Sequence, residues 1–249
     1  MKETNIYETD ELVSQYCDFQ YGDDYFGVMN FALACAQRAI DYTKSTQQKR
    51  ALDLGCATGR ASFELARAFE HVTGIDYSEN FVRVGKELQT ARRVGYWQNG
   101  EGELKNHKEI SADNYDFKDY LTKVEFFQGD ACALAPVFKE YDLIMATNLI
   151  DRLYQPQLFL QSIHERITHG GVLVLTSPYT WREEYTAKEF WIGGYVDENG
   201  KEVSTLEGLK DILESHFELI TIEDIPFVIR ETSRKFQHTI SQMSVWKKR

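Results

Sequence analysis

Four polar side chains recur at the ends of short apolar runs: Asp53 in RALDLGCATGR, Asp76 in HVTGIDYS, Asp130 in EFFQGDA and Asn148 in LIMATNLI. Each run has strand character and each is followed by a turn or a helix start, so the four should gather along one edge of an open sheet, where ligands of α/β proteins bind. Gly55 and Gly59 follow Asp53, with Cys56 and Thr58 between them. Glycines there permit a tight turn and close approach by a ligand, and the helix behind them supplies free N–H groups. The dinucleotide fingerprint G-x-G-x-x-G does not fit, because Ala57 stands where the middle glycine would be. An acidic residue leading the loop would repel a pyrophosphate and suits a cationic group. Taken singly, a G-x-x-x-G turn is most often a packing device and an Asp after a strand most often a helix cap; four in register are harder to dismiss.

A second set of residues could hold a substrate over that edge. The segment YCDFQYGDDYFG offers Tyr16, Phe19, Tyr21 and Tyr25 among carboxylates, suited to covering a cation and a planar ring. LIDRLYQP offers Asp151 and Arg152, and SPYTWREE offers Tyr179. VIRETSRKFQH places Arg230, Glu231, Lys235 and His238 between two strand-like stretches, where an arginine fork suits a carboxylate and an acid suits an ammonium. Each also has an ordinary reading as core packing, a helix cap or a solvated loop.

The elements that must position these residues alternate. NFALACAQRAIDYT has helical spacing, RALDLG reads as a strand, RASFELARAF as a helix, HVTGID as a strand and ENFVRVGKELQTAR as an amphipathic helix. After a polar, glycine-bearing insertion over 92–120 the alternation resumes with KVEFFQ, YDLIMAT, the helical QPQLFLQSIHERI and GGVLVLTS. An excursion over 180–204 precedes the helix TLEGLKDILESH, and FELITIEDIPF and HTISQMSVW close the chain with no helix between them. The expectation is one α/β domain spanning 1–249: a Rossmann-like, seven-stranded, mostly parallel sheet with a C-terminal antiparallel hairpin and helices on both faces, covered by an N-terminal lid and helix over 1–45.

Composition narrows the partners. A net charge of −11 argues against nucleic acid, which is held by clustered Lys and Arg. The basic groups at 44–50, 92–93 and 247–249 read as solvated surface. No apolar run approaches a membrane span and the first residues are polar and acidic, so no membrane partner and a cytoplasmic location are expected. Cys17, Cys35, Cys56 and Cys132 form no C-x-x-C pair, so neither a metal site nor a disulfide framework is expected.

D-x-G-x-x-x-G after the first strand resembles motif I of the S-adenosylmethionine-dependent methyltransferases of Rossmann-like fold. That resemblance implies S-adenosylmethionine as cofactor, with S-adenosylhomocysteine as product. It places Asp53, Gly55, Cys56, Thr58 and Gly59 at the methionine part, Asp76 and Tyr77 at the ribose, Asp130 and Ala131 at the adenine, and Asn148 facing the sulfonium. The phrases YCDFQYGDDYFGV, ALDLGCATGRASFELA, NLIDRLYQP, TSPYTW and PFVIRETSRKFQHTISQ are similar to the methyltransferase domain at the C-terminus of ovothiol synthases, over about Tyr16 to Trp246. This sequence carries no sulfoxide synthase domain and looks like a stand-alone version.

The family resemblance implies 5-thiohistidine, or its selenium analogue, methylated on the imidazole π nitrogen, and a functional link to a sulfoxide synthase or selenium-transfer enzyme. On this reading Arg230 or Arg152 takes the carboxylate and an acid such as Glu231 the ammonium. Asn148, Asp151 or His238 orients the ring, and His238 is a candidate to accept its proton. The alternatives are another small amine or imidazole as substrate, or a cofactor-binding partner subunit without turnover.

Overall fold

The computed structural model describes residues 6–44 and 46–249. Helices α1 (Asp10–Tyr21) and α2 (Phe31–Tyr42) lead into β1 (Arg50–Leu54), α3 (Arg60–Leu65), β2 (His71–Asp76) and α4 (Glu79–Ala91). Strands β3 (Arg93–Asn99) and β4 (Lys105–Ser111) precede β5 (Val124–Gln128), β6 (Tyr141–Thr147), α5 (Pro156–Ser162) and β7 (Ile167–Ser177). Then come β8 (Tyr195–Val196), β9 (Glu202–Val203), α6 (Thr205–Leu213), β10 (Phe217–Arg230) and β11 (Phe236–Lys248).

Seven strands form one sheet in the order β10-β11-β7-β6-β1-β2-β5. The pairs among β5, β2, β1, β6 and β7 are parallel, whereas β11 runs antiparallel to both β7 and β10. The expected α/β sheet with its C-terminal hairpin is therefore present. Strand order reverses at β1, between β2 and β6, and the crevice at that reversal opens at the carboxyl ends of the strands.

Both faces are buried, as parallel sheets require. Ala51 of β1 and Leu143 and Met145 of β6 pack with Cys35, Phe63 and Val84 on one side, while Leu52, Leu54, Ile144 and Ala146 pack with Phe159, Leu160 and Leu209 on the other. Local signals start the helices. Thr9, Asn30 and Ser78 accept from N–H groups in the first turns of α1, α2 and α4, and Ser204 and Glu207 form a reciprocal box at α6.

Two segments differ from the sequence reading. The lid region is itself the 12-residue helix α1; its aromatic and acidic residues lack a clean apolar stripe because several of its buried positions are polar. The insertion over 92–120 contains the hairpin β3–β4, a separate two-stranded sheet that braces α1. Tyr96 Oη and Gln98 Nε2 of β3 donate to Asp18 Oδ1, at 3.0 and 2.7 Å. Outward positions on β4 are mostly charged, which hid its strand period.

Three glycines converge on one ring. A Cβ on Gly59, Gly74 or Gly85 would lie 2.6 to 2.9 Å from the side chain of Phe126 in β5. Alanine in the middle of α4 would ordinarily favour the helix, yet Gly85→Ala should destabilise the protein by about 1–3 kcal/mol through overpacking. Pairing it with Phe126→Leu should recover part of that loss, read by chemical denaturation.

Candidate functional site

Alternation along β1 turns Asp53 to the same side as Ala51, toward α3. There it is fully buried, and its Oδ2 accepts from Ser62 Oγ at 2.7 Å while Oδ1 has no partner. Burial pushes its carboxyl up to about 7, against the Ser62 hydrogen bond and with a smaller push from Asp76. Asp53 thus supports the loop from beneath. Above it the loop takes left-handed backbone at Gly55 (φ 72°), Ala57 (φ 47°) and Gly59 (φ 94°).

The loop is gripped from α1. Gln20 Nε2 donates to the Cys56 carbonyl at 3.3 Å, and its Oε1 accepts from Thr58 Oγ1 at 2.7 Å and from the Arg60 N–H at 3.2 Å. Tyr21 Oη donates to the Thr58 carbonyl at 3.0 Å. This grip corrects the expectation for Tyr21 and occupies the side chains of Cys56 and Thr58. The Cys56 and Thr58 side chains are buried and occupied within the loop and its clamp, and Tyr21 holds the loop instead of reaching a substrate. Phe19 is likewise committed to packing, against Tyr16, Phe31 and Phe227.

Along the edge, Asp76 is part-exposed and accepts from the Ala57 N–H at 2.8 Å and the Ser78 N–H at 2.9 Å. Its surroundings raise its carboxyl to about 6, chiefly by burial, with the two backbone hydrogen bonds opposing. Tyr77 beside it is exposed. Asp130 accepts from the Cys132 N–H at 2.8 Å and from Tyr154 Oη at 3.0 Å, with Ala131 next to it half-buried. Asn148, in left-handed backbone (φ 50°), accepts on Oδ1 from Thr176 Oγ1 and from Ser241 Oγ of β11. So Asp76, Asp130 and Asn148 do stand at successive strand ends.

A cover lies over this edge. Glu8 accepts from the N–H groups of Glu79 and Asn80 at the start of α4, tying the N-terminal segment beside Asp76. The Tyr7 ring packs edge-on against Tyr16, and Arg152 lies 4.9 Å from the centre of the Tyr185 ring. Tyr16 is pushed up to about 12, first by burial and then by Asp76, with Arg152 opposing and Tyr185 and Asp151 adding to the rise. Tyr16 itself packs against Tyr7, Phe19 and Phe81. Asp151 is fully buried, and its Oδ2 accepts from Arg152 Nη1 at 2.9 Å, the Thr180 N–H at 3.1 Å and Thr180 Oγ1 at 2.9 Å. Tyr179 Oη donates to Gln242 Oε1 at 3.0 Å, and burial together with the charge of Asp151 raises that phenol.

The charged turn of the C-terminal hairpin is not part of this cover. Arg230 turns inward but meets Asp18, 4.0 Å away and nearly buried. On a helix of 100° per residue Asp18 lies about 200° from Tyr16, on the opposite side of α1. Glu231 and Lys235 pair with each other, and Gln237 also donates to Glu231. Tyr25 packs on Phe236 and senses Asp18 and Arg230. His238 is exposed, and the alternation of β11 sends it to the face opposite Ser241. The structure thus brings together Tyr16, Asn148, Asp151, Arg152 and Tyr179, and leaves Tyr25, Arg230, Glu231, Lys235 and His238 apart from them. Sequence reasoning had not singled out Tyr7, Glu8, Gln20, Tyr185, Ser241 or Gln242; Gln20 lay within the quoted YCDFQYGDDYFG and Tyr185 directly after TWREE.

With this geometry in view, residues 45–218 match a family model described as a methyltransferase domain. The chain belongs to that family. It is 25% identical over 146 residues to a Geobacillus protein named as a methyltransferase, covering 55% of this chain and 59% of that protein. It is 23% identical over 194 residues to CRG1 of Saccharomyces cerevisiae, named as an S-adenosylmethionine-dependent methyltransferase, covering 76% of this chain and 60% of CRG1. The chain therefore spans about three fifths of the length of these curated relatives. Among solved structures it resembles the magnesium protoporphyrin IX methyltransferase of Synechocystis PCC 6803 with bound cofactor (TM-score 0.52, 13% identity, 99% of this chain and 100% of that one). It also resembles YcgJ of Bacillus subtilis (TM-score 0.56, 12% identity, 87% and 98%). These two likenesses concern the fold.

The residues present fit S-adenosylmethionine, the cofactor in the name of CRG1. A Cβ at Gly55 would crowd Leu149 at 3.1 Å in the crevice beside the loop, and the part-exposed Asp76 is an acceptor where ribose hydroxyls need one. Among the described residues no group of His, Cys, Asp and Glu is arranged to hold a metal ion, and no helix is long and apolar enough to cross a membrane.

Asp76→Asn should weaken cofactor binding about ten- to a hundredfold, the worth of hydrogen bonds to a charged acceptor. In the wild type, affinity should also fall as pH drops through about 6, where Asp76 takes up a proton; titration calorimetry from pH 5 to 8 reads both effects. Asp53 gives a second pH signature. Because its folded pKa is raised to about 7, the folded state holds the proton more tightly, so its contribution to stability is greatest below pH 4 and is lost as pH rises to 7. Asp53→Asn should therefore stabilise the protein at pH 8 by on the order of a few kcal/mol relative to wild type, with the gain vanishing near pH 4, measured by urea unfolding.

Proposed function

We propose that the chain is an S-adenosylmethionine-dependent N-methyltransferase acting on the imidazole π nitrogen of 5-thiohistidine or its selenium analogue. The observation that carries this reading is the cover over the cofactor edge. Tyr7 and Tyr16 pack edge to face and Tyr185 covers the guanidinium of the Asp151–Arg152 pair, a set of rings and opposite charges that suits a small, planar, doubly charged substrate rather than a polymer. The phrases shared with the ovothiol synthase methyltransferase domain support the same substrate.

When bound, S-adenosylmethionine supplies an electrophilic methyl carbon on a sulfonium. Transfer would form an N–C bond as the S–C bond breaks, with that electron pair leaving on sulfur to give S-adenosylhomocysteine. The protein needs no covalent nucleophile, only alignment and exclusion of water. Asp76 and the Gly55 loop would hold the cofactor, and Asn148 is fixed beside them through Thr176 and Ser241. The tyrosine cover clamps the ring so that nitrogen rather than the more nucleophilic sulfur lies in line. His238, exposed and turned away, is not assigned the proton.

This reading places the protein in the cytoplasm, functionally linked to a sulfoxide synthase or a selenium-transfer enzyme that makes its substrate. Incubation with methyl-labelled cofactor and 5-thiohistidine, histidine or methylamine, followed by mass spectrometry, tests it. Labelled product should form with 5-thiohistidine alone. Product from histidine or methylamine instead would assign another small amine or imidazole, and cofactor binding without any product would mark a non-catalytic subunit.

A further inference from the structure

We propose that Asp151 and Arg152 are the grip for the substrate's α-amino-acid group, with Asp151 taking the ammonium and Arg152 the carboxylate. This assignment rests on the thiohistidine reading above and gives that same site its polar contacts.

Asp151 supplies the first half. Its side chain is wholly buried, three donors crowd Oδ2, and Oδ1 has no hydrogen-bond partner. A buried carboxylate oxygen without a donor is costly to keep. A substrate ammonium carries three N–H groups and a positive charge and would satisfy it directly. Asp151 is bonded to Thr180, the chain neighbour of Tyr179, and to Arg152, whose guanidinium lies over Tyr185, which puts it beside the cover and not in a remote part of the core.

Arg152 supplies the second. Its Nη1 donates to the Asp151 carbonyl, Asp151 Oδ2 and the Thr180 carbonyl, and its Nη2 to Thr180 Oγ1. Among the described residues no acceptor meets Nε–H. Nε–H and the adjoining Nη2–H make up the lateral edge of the guanidinium, a fork matched in spacing to a carboxylate. Tyr185 packs on the guanidinium, 4.9 Å from ring centre to Cζ, fixing its plane.

Thr180 binds both members, through its N–H and hydroxyl to Asp151 and through its carbonyl and hydroxyl to Arg152. The two opposite charges are thus held at one spacing before substrate arrives, which lowers the ordering cost of binding. The other charged candidates are occupied elsewhere: Arg230 on Asp18, and Glu231 on Lys235. Asp151 and Arg152 follow Asn148 in the loop directly after β6, so a ligand held by its amino-acid end here lies at the carboxyl edge of the sheet.

The experiment compares kcat/KM for methyl transfer to 5-thiohistidine, its decarboxylated analogue and its deaminated analogue. Wild type should lose at least about tenfold with each analogue, the scale of one lost charged hydrogen bond. Arg152→Met should erase the penalty for removing the carboxylate and keep the penalty for removing the amine; Asp151→Asn should do the converse. The Kd for S-adenosylhomocysteine should stay unchanged in both variants and reports an intact fold. Because Asp151 also anchors Thr180, the wild-type comparison and the Arg152→Met arm decide the matter if Asp151→Asn fails to fold. Equal use of all three compounds by wild type, or both penalties persisting in Arg152→Met, overturns the grip while leaving the thiohistidine reading in place. Turnover of none of the three overturns that reading and the grip with it.

Discussion

The site depends on one buried amide. Gln20 uses both ends of its side chain on the glycine loop, bonding the Cys56 carbonyl, the Thr58 hydroxyl and the Arg60 N–H. Hydrogen bonds in such a water-poor setting are strong, and leaving them unmade is expensive. α1 is not part of the sheet, so this amide sets its rotation against β1. Tyr16 lies one turn earlier on the same helix, and its place at the cofactor edge follows from that rotation. The opposite face of α1 is fixed by Asp18, which the insertion hairpin and Arg230 hold from outside. A helix clamped on both sides in this way couples the cofactor loop to the cover.

The same edge collects features that oppose stability. Ala57, Asn148 and Tyr179, just past β1, β6 and β7, all take left-handed backbone without being glycine. Asp53 and Asp151 are buried carboxylates, each with an oxygen lacking a partner. Strain and unmet polar groups persist only where the surrounding structure over-determines them, and they concentrate at functional sites. Here the parallel core beneath, apolar on both faces, supplies that constraint.

Most of the sheet was legible from residue pattern. RALDLG, HVTGID, YDLIMAT and GGVLVLTS are apolar because parallel strands are covered on both faces, KVEFFQ alternates as the half-exposed edge strand, and the intervening helices carry a 3.6-residue period. β3 and β4 were not legible, since a hairpin resting one face on α1 and α4 leaves five of the seven β4 residues exposed and polar. α1 was read as a lid without helical form because its inward residues, Asp18 and Gln20, are polar and are paid for by partners distant in sequence. Of the site, Asp76, Asp130 and Asn148 were found from their position after strands. Gln20 and Tyr185 were not, because nothing local distinguishes a gripping glutamine or tyrosine from a surface one.

The sequence by itself determined the α/β alternation, the glycine loop after β1 and the carboxylates at the strand ends, all of which follow from local period and turn chemistry. Only the tertiary structure decided which charges gather at the carboxyl edge of the sheet. Arg152 and Arg230 look alike in composition, each beside an acidic residue. Yet the loop after β6 leads Arg152 onto Thr180 and Tyr185, while the long β10–β11 hairpin carries Arg230 to the far side of α1, onto Asp18. The difference arises from strand order and helix rotation, properties of contacts between segments far apart in the chain.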